Sequence, residues 1–425
     1  MRAPYRAKIP TMTGAALEQW TERLAVATSV LGRRVDVDGV GLLVERREVD
    51  GLREPATRLL RCADGWVAVS LAREWDREAM PAWVGVEGSW DQVAAAVEHR
   101  TGAELIAGAE MLGLAVGVLG ERTEPAVVQT SFECRLDASS AYGVTPVGGL
   151  RSDPSDGLAG TGPRDHSGSG SGQDEPDLPG SPSSGSGLVR VLDLSALWAG
   201  PLCAALLAEA GTDVVKLEST ARPDASRAGN PGLFARLNHL KRSVVLDLGE
   251  VAGRSDLASL VRAADVVVES SRPRALEQMG IAAAEVLADP TPRTRVWVSI
   301  TGHGRTSNRA GFGDDAAVAG GLVRWDDGVP ALWGDAAADP LTGLVSATLA
   351  AEALVAGRRV LLDVALAGVA ADLRDDLMPD LPDVFSASDI VSASVLDPTQ
   401  PTSVVPAVSP LGCYTAEVLA EWVGS

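Results

Sequence analysis

The chain holds 425 residues, with 37 Lys and Arg against 57 Asp and Glu, a net charge of −20, and 46% of its residues are apolar. That balance argues against a surface built to neutralise nucleic-acid phosphates or to sit on anionic lipid, and the apolar share rules out a wholly disordered chain. The length predicts two or three domains at roughly 150 residues each; no uncharged apolar run reaches the ~18 residues of a membrane span, the first residues lack the apolar stretch of a secretory leader, and four scattered cysteines without a CxxC pair point to a reducing, cytoplasmic setting rather than a disulfide framework or a zinc site.

Residues 1–150 read as a small α+β domain. DGWVAVSL (64–71) alternates like a half-buried strand. Ser89 with Gln92, and Thr101 with Glu104, are two capping boxes that open two helices. LAVGVLG (114–120) closes the set as a short strand. Residues 151–187 are dominated by Gly, Ser, Pro and Asp, a composition that cannot bury enough apolar surface to offset its ordering entropy. They are expected to form a flexible linker, spanning roughly 35 Å as a coil.

Residues 188–370 alternate between continuous Val/Ile/Leu runs and helical patterns. Strands are predicted at 188–194, 213–219, 243–249, 265–271, 294–302 and 359–366. Helices are predicted at 201–211, closed by Gly211, at 256–264, and over the long stretch 340–357. Apolar strands separated by helices predict an α/β domain: a Rossmann-like parallel sheet with helices on both faces. Residues 371–425 are expected to be an extended tail with a terminal helix at 415–423. Linker and tail together carry −12 of the charge, whereas 214–274 holds ten basic against seven acidic side chains. Only three lysines occur in the chain, and Lys216 and Lys241 fall in that locally positive stretch.

Several familiar chemistries are disfavoured. The turn after the first strand of the α/β domain is Ser195-Ala196-Leu197-Trp198-Ala199-Gly200-Pro201, with no GxGxxG, and no GxxxxGK[ST] occurs elsewhere. The four histidines show no metal spacing, and no metal ligands are predicted. His303, in Gly302-His303-Gly304 after the fifth strand, lies where open α/β sheets bind ligands. Asp339, before Pro340, reads as the N-cap of the long helix, where the helix dipole favours an ionised carboxylate. Asp335, Asp314 and Asp315 are nearby carboxylates of the same chemistry.

Five strings in this order, 191–218, 238–248, 264–273, 296–304 and 334–354, together resemble the class III CoA-transferase family, which includes formyl-CoA transferase, carnitine CoA-transferase and the 2-methylacyl-CoA racemases. CADGWVAVSL (62–71) is similar to the family's small domain and PLGCYTAEVLAEW (410–422) to its C-terminal segment. The family places its small domain between two parts of the large one; here the similar segment comes first. The resemblance implies a transferase that moves CoA between carboxylic acids through an aspartyl mixed anhydride and an aspartyl-CoA thioester. It implies acyl-CoA and a carboxylic acid as partners, CoA as substrate rather than a tightly bound cofactor, and a homodimer. Asp339 matches the nucleophile, by its DPLTGL context and the Leu362-Asp363-Val364 string that follows, in preference to Asp335. The positions matching the CoA site are Ala196, Leu197, Trp198, Ala199 and Gly200, then Arg222 and Arg227, then Asn238, Lys241 and Arg242, and Arg272. Arg forks suit phosphate. Gly313-Asp314-Asp315 stands where the racemases carry a GHD-like string, which favours transfer over racemisation. A racemase-type isomerase and a non-catalytic acyl-CoA-binding protein are the alternatives. Trp198, Trp325 and Trp333 are candidates for an acyl pocket, and Gly320-Gly321 for a flap or a turn.

Overall fold

The computed structural model describes residues 15–37, 56–87, 89–121, 125–132, 143–146, 188–272, 274–377 and 406–424; the linker expected at 151–187 lies outside the described residues. The strands, in chain order, are β1 Thr57–Cys62, β2 Gly65–Ser70, β3 Ala115–Val118, β4 Val127–Ser131, β5 Gly143–Pro146, β6 Arg190–Asp193, β7 Asp213–Ser219, β8 Arg242–Leu246, β9 Val266–Glu269, β10 Val296–Thr301, β11 Val323–Asp326, β12 Val329–Leu332 and β13 Val360–Ala365. β1, β2 and β3 form one antiparallel sheet, and β11 and β12 form a hairpin.

The large sheet runs β5-β4-β13-β10-β9-β6-β7-β8. From β13 to β8 every pairing is parallel, while β4 and β5 join antiparallel beyond β13. The parallel strands read as unbroken Val/Leu/Ile runs because helices cover both faces, leaving no solvent side to carry alternating polar residues. One face packs on the helices Ala199–Glu209 and Ala338–Val355 around Leu202, Leu206, Leu341 and Val345. The other packs on the helix Val251–Ala263 around Leu257, Leu260 and Trp297. The chain reverses direction across the sheet between β6 and β9, and the crevice outside the carboxyl ends of those two strands is where a doubly wound sheet receives a ligand.

The first 150 residues are divided in space. β1–β3 and the helices Trp90–Val97 and Gly102–Leu112 enclose their own core around Val67, Met80, Trp83, Val93 and Leu105. Both predicted capping boxes are present: Ser89 Oγ accepts from Gln92 N and Thr101 Oγ1 from Glu104 N. The helix Ala15–Leu31, by contrast, joins the large core through Leu17, Trp20 and Leu24, and Arg23 pairs with Glu352 at 2.8 Å. β4 and β5 extend the large sheet. At the other end, the helix Leu366–Leu377 runs on past the expected boundary at 370. Residues 406–424 lie along β8, where Tyr414 N donates to Ser243 O and Val245 N to Thr415 Oγ1, both at 3.0 Å, occupying backbone groups of an edge strand.

Candidate active site

The turn that follows β6 is held from beneath by buried charges. Asp193 ends β6, and its Oδ1 accepts from Ser195 N at 3.0 Å and from Ser195 Oγ. Lys216, in the middle of β7, donates to Ser195 O at 2.9 Å and pairs with Asp224 at 3.0 Å. Asp224 in turn accepts from Leu197 N at 3.2 Å. These contacts hold Leu197 at φ 71°, a left-handed conformation that costs a non-glycine residue about 1–3 kcal/mol. A Cβ at Gly200 would collide with the Ser195 side chain, so the turn needs glycine there. Burial opposes every charge in this network. Asp193 is nonetheless held below the ordinary carboxylate range by Lys241 and Lys216, and Lys216 is held above its ordinary value by Asp193 and Asp224.

The residues predicted for the CoA site separate into two sets. Ala196 and Leu197 are exposed, Trp198 is half-buried, and Ala199 and Gly200 are covered. Arg222 lies three residues past β7 and Arg272 three residues past β9; both are exposed at the carboxyl ends of the strands that flank β6. Asn238, Lys241 and Arg242 are each only 2% exposed. The Lys241 ammonium is enclosed by Asp193 Oδ2, Pro201 O and Asn238 Oδ1 at 2.8–3.0 Å, and burial brings its pKa down to about 8. Arg242 is engaged by Asp213, Glu421 and Glu417. Arg227 is paired with Glu218 and stacks on Phe234 at 4.3 Å. The expectation that Lys241 and Arg242 meet a ligand is therefore corrected: Lys216, Lys241 and Arg242 face inward and are paired with buried or partly buried carboxylates.

Asp339 sits in the first turn of the helix Ala338–Val355, whose N-cap is Ala337, so the expectation that Asp339 is itself the N-cap is corrected by one turn geometry. Pro340 is accommodated because amides of the first turn have no intrahelical partner. The preceding Ala336 takes φ 49°, with its N–H bound to Asp314 Oδ1 at 3.0 Å and its carbonyl accepting from Asp339 N at 2.8 Å. Leu197 and Ala336 are thus two of the three left-handed non-glycine residues among those described. Gly343, one turn beyond Asp339, has no room for a Cβ against Ala199 O and Leu202, which brings the helix onto the 196–200 turn.

The Asp339 carboxyl holds its proton well above the ordinary carboxylate range. Burial pushes its carboxyl up to about 8, helped by the negative charges of Asp314, Asp315 and Asp335, against a hydrogen bond from the Gly313 amide. Desolvation and like charges outweigh the helix dipole that the sequence suggested. Gly313 is tightly fitted between Asp339 and Ala336, where a side chain would displace the carboxylate. Asp315, wholly buried, has a carboxyl raised to about 7 by burial, partly offset by Ser70. Asp335 is exposed.

The three-stranded module closes on this wall. Ser70 Oγ donates to Asp315 Oδ1 at 2.8 Å, Gly120 N to Val318 O at 3.0 Å, and Arg309 reaches Val116 O and Glu121 at 2.7 Å. Gly117 packs directly on the Asp315 carbonyl. Gly113 O accepts from Arg73 at 2.8 Å and from Arg272 at 3.3 Å. His303 is buried beside Gly311, and its Nε2 has no partner. Burial and nearby Arg309 lower its pKa to about 3, so it is neutral. Trp198 and Trp333 pack against the large core, whereas Trp325 projects from the β11–β12 hairpin. Gly320 is wedged against Ala367 and Ala370, which makes Gly320-Gly321 a packed turn.

An open cavity of about 520 Å³ lies elsewhere, lined by Ser131, Phe132, Pro290, Arg295, Arg358 and Arg359 at the amino ends of β10 and β13. It is at the wrong edge of the sheet for a doubly wound ligand crevice. Among the described residues no group of three His, Cys, Asp or Glu side chains could hold a metal ion. Nor is any helix among them long and apolar enough to cross a membrane. Sequence reasoning passed over Asp193, Asp224 and Ser70, and noted Lys216 only as a lysine of the positive stretch. The available signal was a charge inside otherwise apolar strands, in RVLD and DVVKLES.

Residues 187–389 match CoA-transferase family III. A succinate–glutarate CoA-transferase from Agrobacterium fabrum is 33% identical over 190 residues, covering 40% of this chain and 47% of that protein. A succinyl-CoA–L-malate CoA-transferase beta subunit from Chloroflexus aurantiacus is 32% identical over 209 residues, covering 45% and 51%. A CAIB/BAIF family protein from Brucella suis superposes with a TM-score of 0.40 at 29% identity, over 43% of this chain and 53% of that one. The chain spans about half the length of these curated relatives.

Proposed function

Since residues 187–389 belong to CoA-transferase family III, we propose that this chain is an enzyme that moves CoA from an acyl-CoA to a carboxylic acid, with Asp339 as nucleophile. The observation that supports the reading is that Asp339 lies one helical turn from Gly343, which packs on Ala199 of the 196–200 turn. The relatives named above transfer CoA between dicarboxylic acids, which supports a carboxylic acid as acceptor.

In the proposed reaction a carboxylate oxygen of Asp339 attacks the thioester carbonyl, the C–S bond breaks and CoA leaves as thiolate. The thiolate then attacks the aspartyl carbonyl of the mixed anhydride, releasing the donor acid and leaving an aspartyl-CoA thioester. The acceptor carboxylate attacks that thioester, and the returning thiolate takes the acceptor acyl group, regenerating Asp339. Arg222 and Arg272, exposed on either side of the turn, are the proposed phosphate ligands; Ala196 and Leu197 line the approach. Asn238, Lys241, Arg242 and Arg227 are proposed to act on this site only by holding the turn and its supporting strands. The reading takes CoA as substrate rather than resident cofactor, and includes the division into small and α/β domains, a cytoplasmic setting and a homodimer.

The test is thioester exchange between acyl-CoA donors and a panel of mono- and dicarboxylic acids, with trapping by hydroxylamine and mapping of the modified residue. Modification at Asp339, and a fall of at least ~10³-fold in Asp339→Ala, are expected. Exchange that survives this substitution, or a modified residue elsewhere, overturns the assignment.

A further inference from the structure

Three consecutive residues at the start of the helix Gly313–Ala319 connect two parts of the molecule. Gly313 gives its amide to Asp339. Asp314 Oδ1 takes the amide of Ala336, three residues before Asp339. Asp315 Oδ1 takes the amide of Phe312 at 3.0 Å and the hydroxyl of Ser70 at 2.8 Å, the last residue of β2 in the small module. Asp315 is wholly buried, and its Oδ2 has no partner. A buried carboxylate oxygen without a donor is costly, so its charge responds strongly to each hydrogen bond the group does receive. That donor comes from the small module, whose docking is fixed by Gly117 against the Asp315 carbonyl and by Gly120 N on Val318 O.

We propose that Asp315 is a positioning residue through which the docked small module controls the charge of the Asp339 carboxylate. This rests on the reading of Asp339 as nucleophile only for its consequence in catalysis. The groups facing Asp339 are Asp314, Asp315 and Asp335. Those facing Asp315 are Ser70 from β2, Asp314 on its own helix, and neutral His303 across Gly311, whose imidazole also feels the charge of Arg309. A negative Asp315 opposes ionisation of Asp339. The Ser70 hydroxyl favours a negative Asp315, so a docked module holds the proton on Asp339 to higher pH.

The experiment is a pH titration of the aspartate carboxyl carbons by NMR on the full chain labelled with 13C-aspartate, with the Asp339 signal assigned from Asp339→Asn. Asp315→Asn removes the charge and keeps an acceptor for Ser70; the Asp339 midpoint is expected to fall by about one pH unit or more. Ser70→Ala, which leaves the helix sequence untouched, is expected to lower it by a smaller amount in the same direction. An unchanged or raised midpoint in the folded variants overturns the proposal, and Ser70→Ala decides alone if Asp315→Asn does not fold. The acid limb of the pH–rate profile for CoA exchange should move with the midpoint. A midpoint that moves while the acid limb stays fixed upholds charge control by Asp315 and removes Asp339 from the nucleophile role.

Discussion

At the scale of single residues, the site is governed by how charges are buried. Lys216 is 1% exposed, and its ammonium lies between Ser195 O and Asp224. Replacing it by Met would leave Asp224 without its cation and Asp193 with Lys241 alone, and stranding a buried charge costs about 3–5 kcal/mol. Lys216→Met is accordingly expected to lower stability by that order in urea unfolding, and to weaken acyl-CoA binding through the loosened turn. Asp339 behaves in the opposite sense. Its proton is held to about 8 in the folded chain, against an ordinary value near 4 in the unfolded one. Between those values the folded state binds a proton that the unfolded state has released, so this group's contribution is present in acid and is lost as pH rises through 8. Asp339→Asn should therefore gain stability relative to the native chain between pH 5 and pH 8, read as a growing difference in Tm. A constant difference would mean that the carboxyl keeps an ordinary pKa in the folded chain.

Elements place these residues, and the small ones are decisive. Gly117 on β3 lets the small module lie against the helix that carries Asp314 and Asp315, because a Cβ there would overlap the Asp315 carbonyl. Gly343 does the same between the helix Ala338–Val355 and the 196–200 turn. Overpacking of this kind costs about 1–3 kcal/mol. Gly117→Ala is expected to loosen the module, seen as faster hydrogen exchange in β3 and the 313–319 helix, with the parallel sheet unaffected. The strands of the α/β domain and the two capping boxes were legible in the sequence, since they depend on local apolar runs and on side chains three residues apart. The helix Ala15–Leu31 and strands β4 and β5 were not. Their partners lie far along the chain, as in Arg23 with Glu352 and Val364 with Val127, and no local pattern records such a pairing.

For the whole molecule, the net charge of −20 and the proposed anionic substrate are reconciled differently from the way composition suggested. The two lysines of the positive stretch 214–274 do not contribute to a basic surface, because they are consumed inside the fold. Arg222 and Arg272 are exposed at the carboxyl ends of the strands that flank β6. An acidic chain with two exposed guanidinium groups at one crevice should bind acyl-CoA with a KM that rises with ionic strength, since exposed charges are screened. Arg222→Ala and Arg272→Ala are each expected to raise that KM by roughly ten-fold with little change in kcat, and to flatten its salt dependence.

The sequence by itself determined the α/β class, the order of its strands along the chain and the likeness to CoA-transferase family III, because continuous apolar runs and short motifs are local properties. Only the tertiary structure decided which charges meet water. Lys241 and Arg222 are alike in a list of basic residues, yet one is sealed beneath a helix with Asp193 and the other is open to solvent. Asp339 and Asp335 are alike as carboxylates, yet one is half-buried among like charges and the other is exposed. Dielectric surroundings and the distances between charges remote in sequence set those differences, and both exist only once the chain has folded.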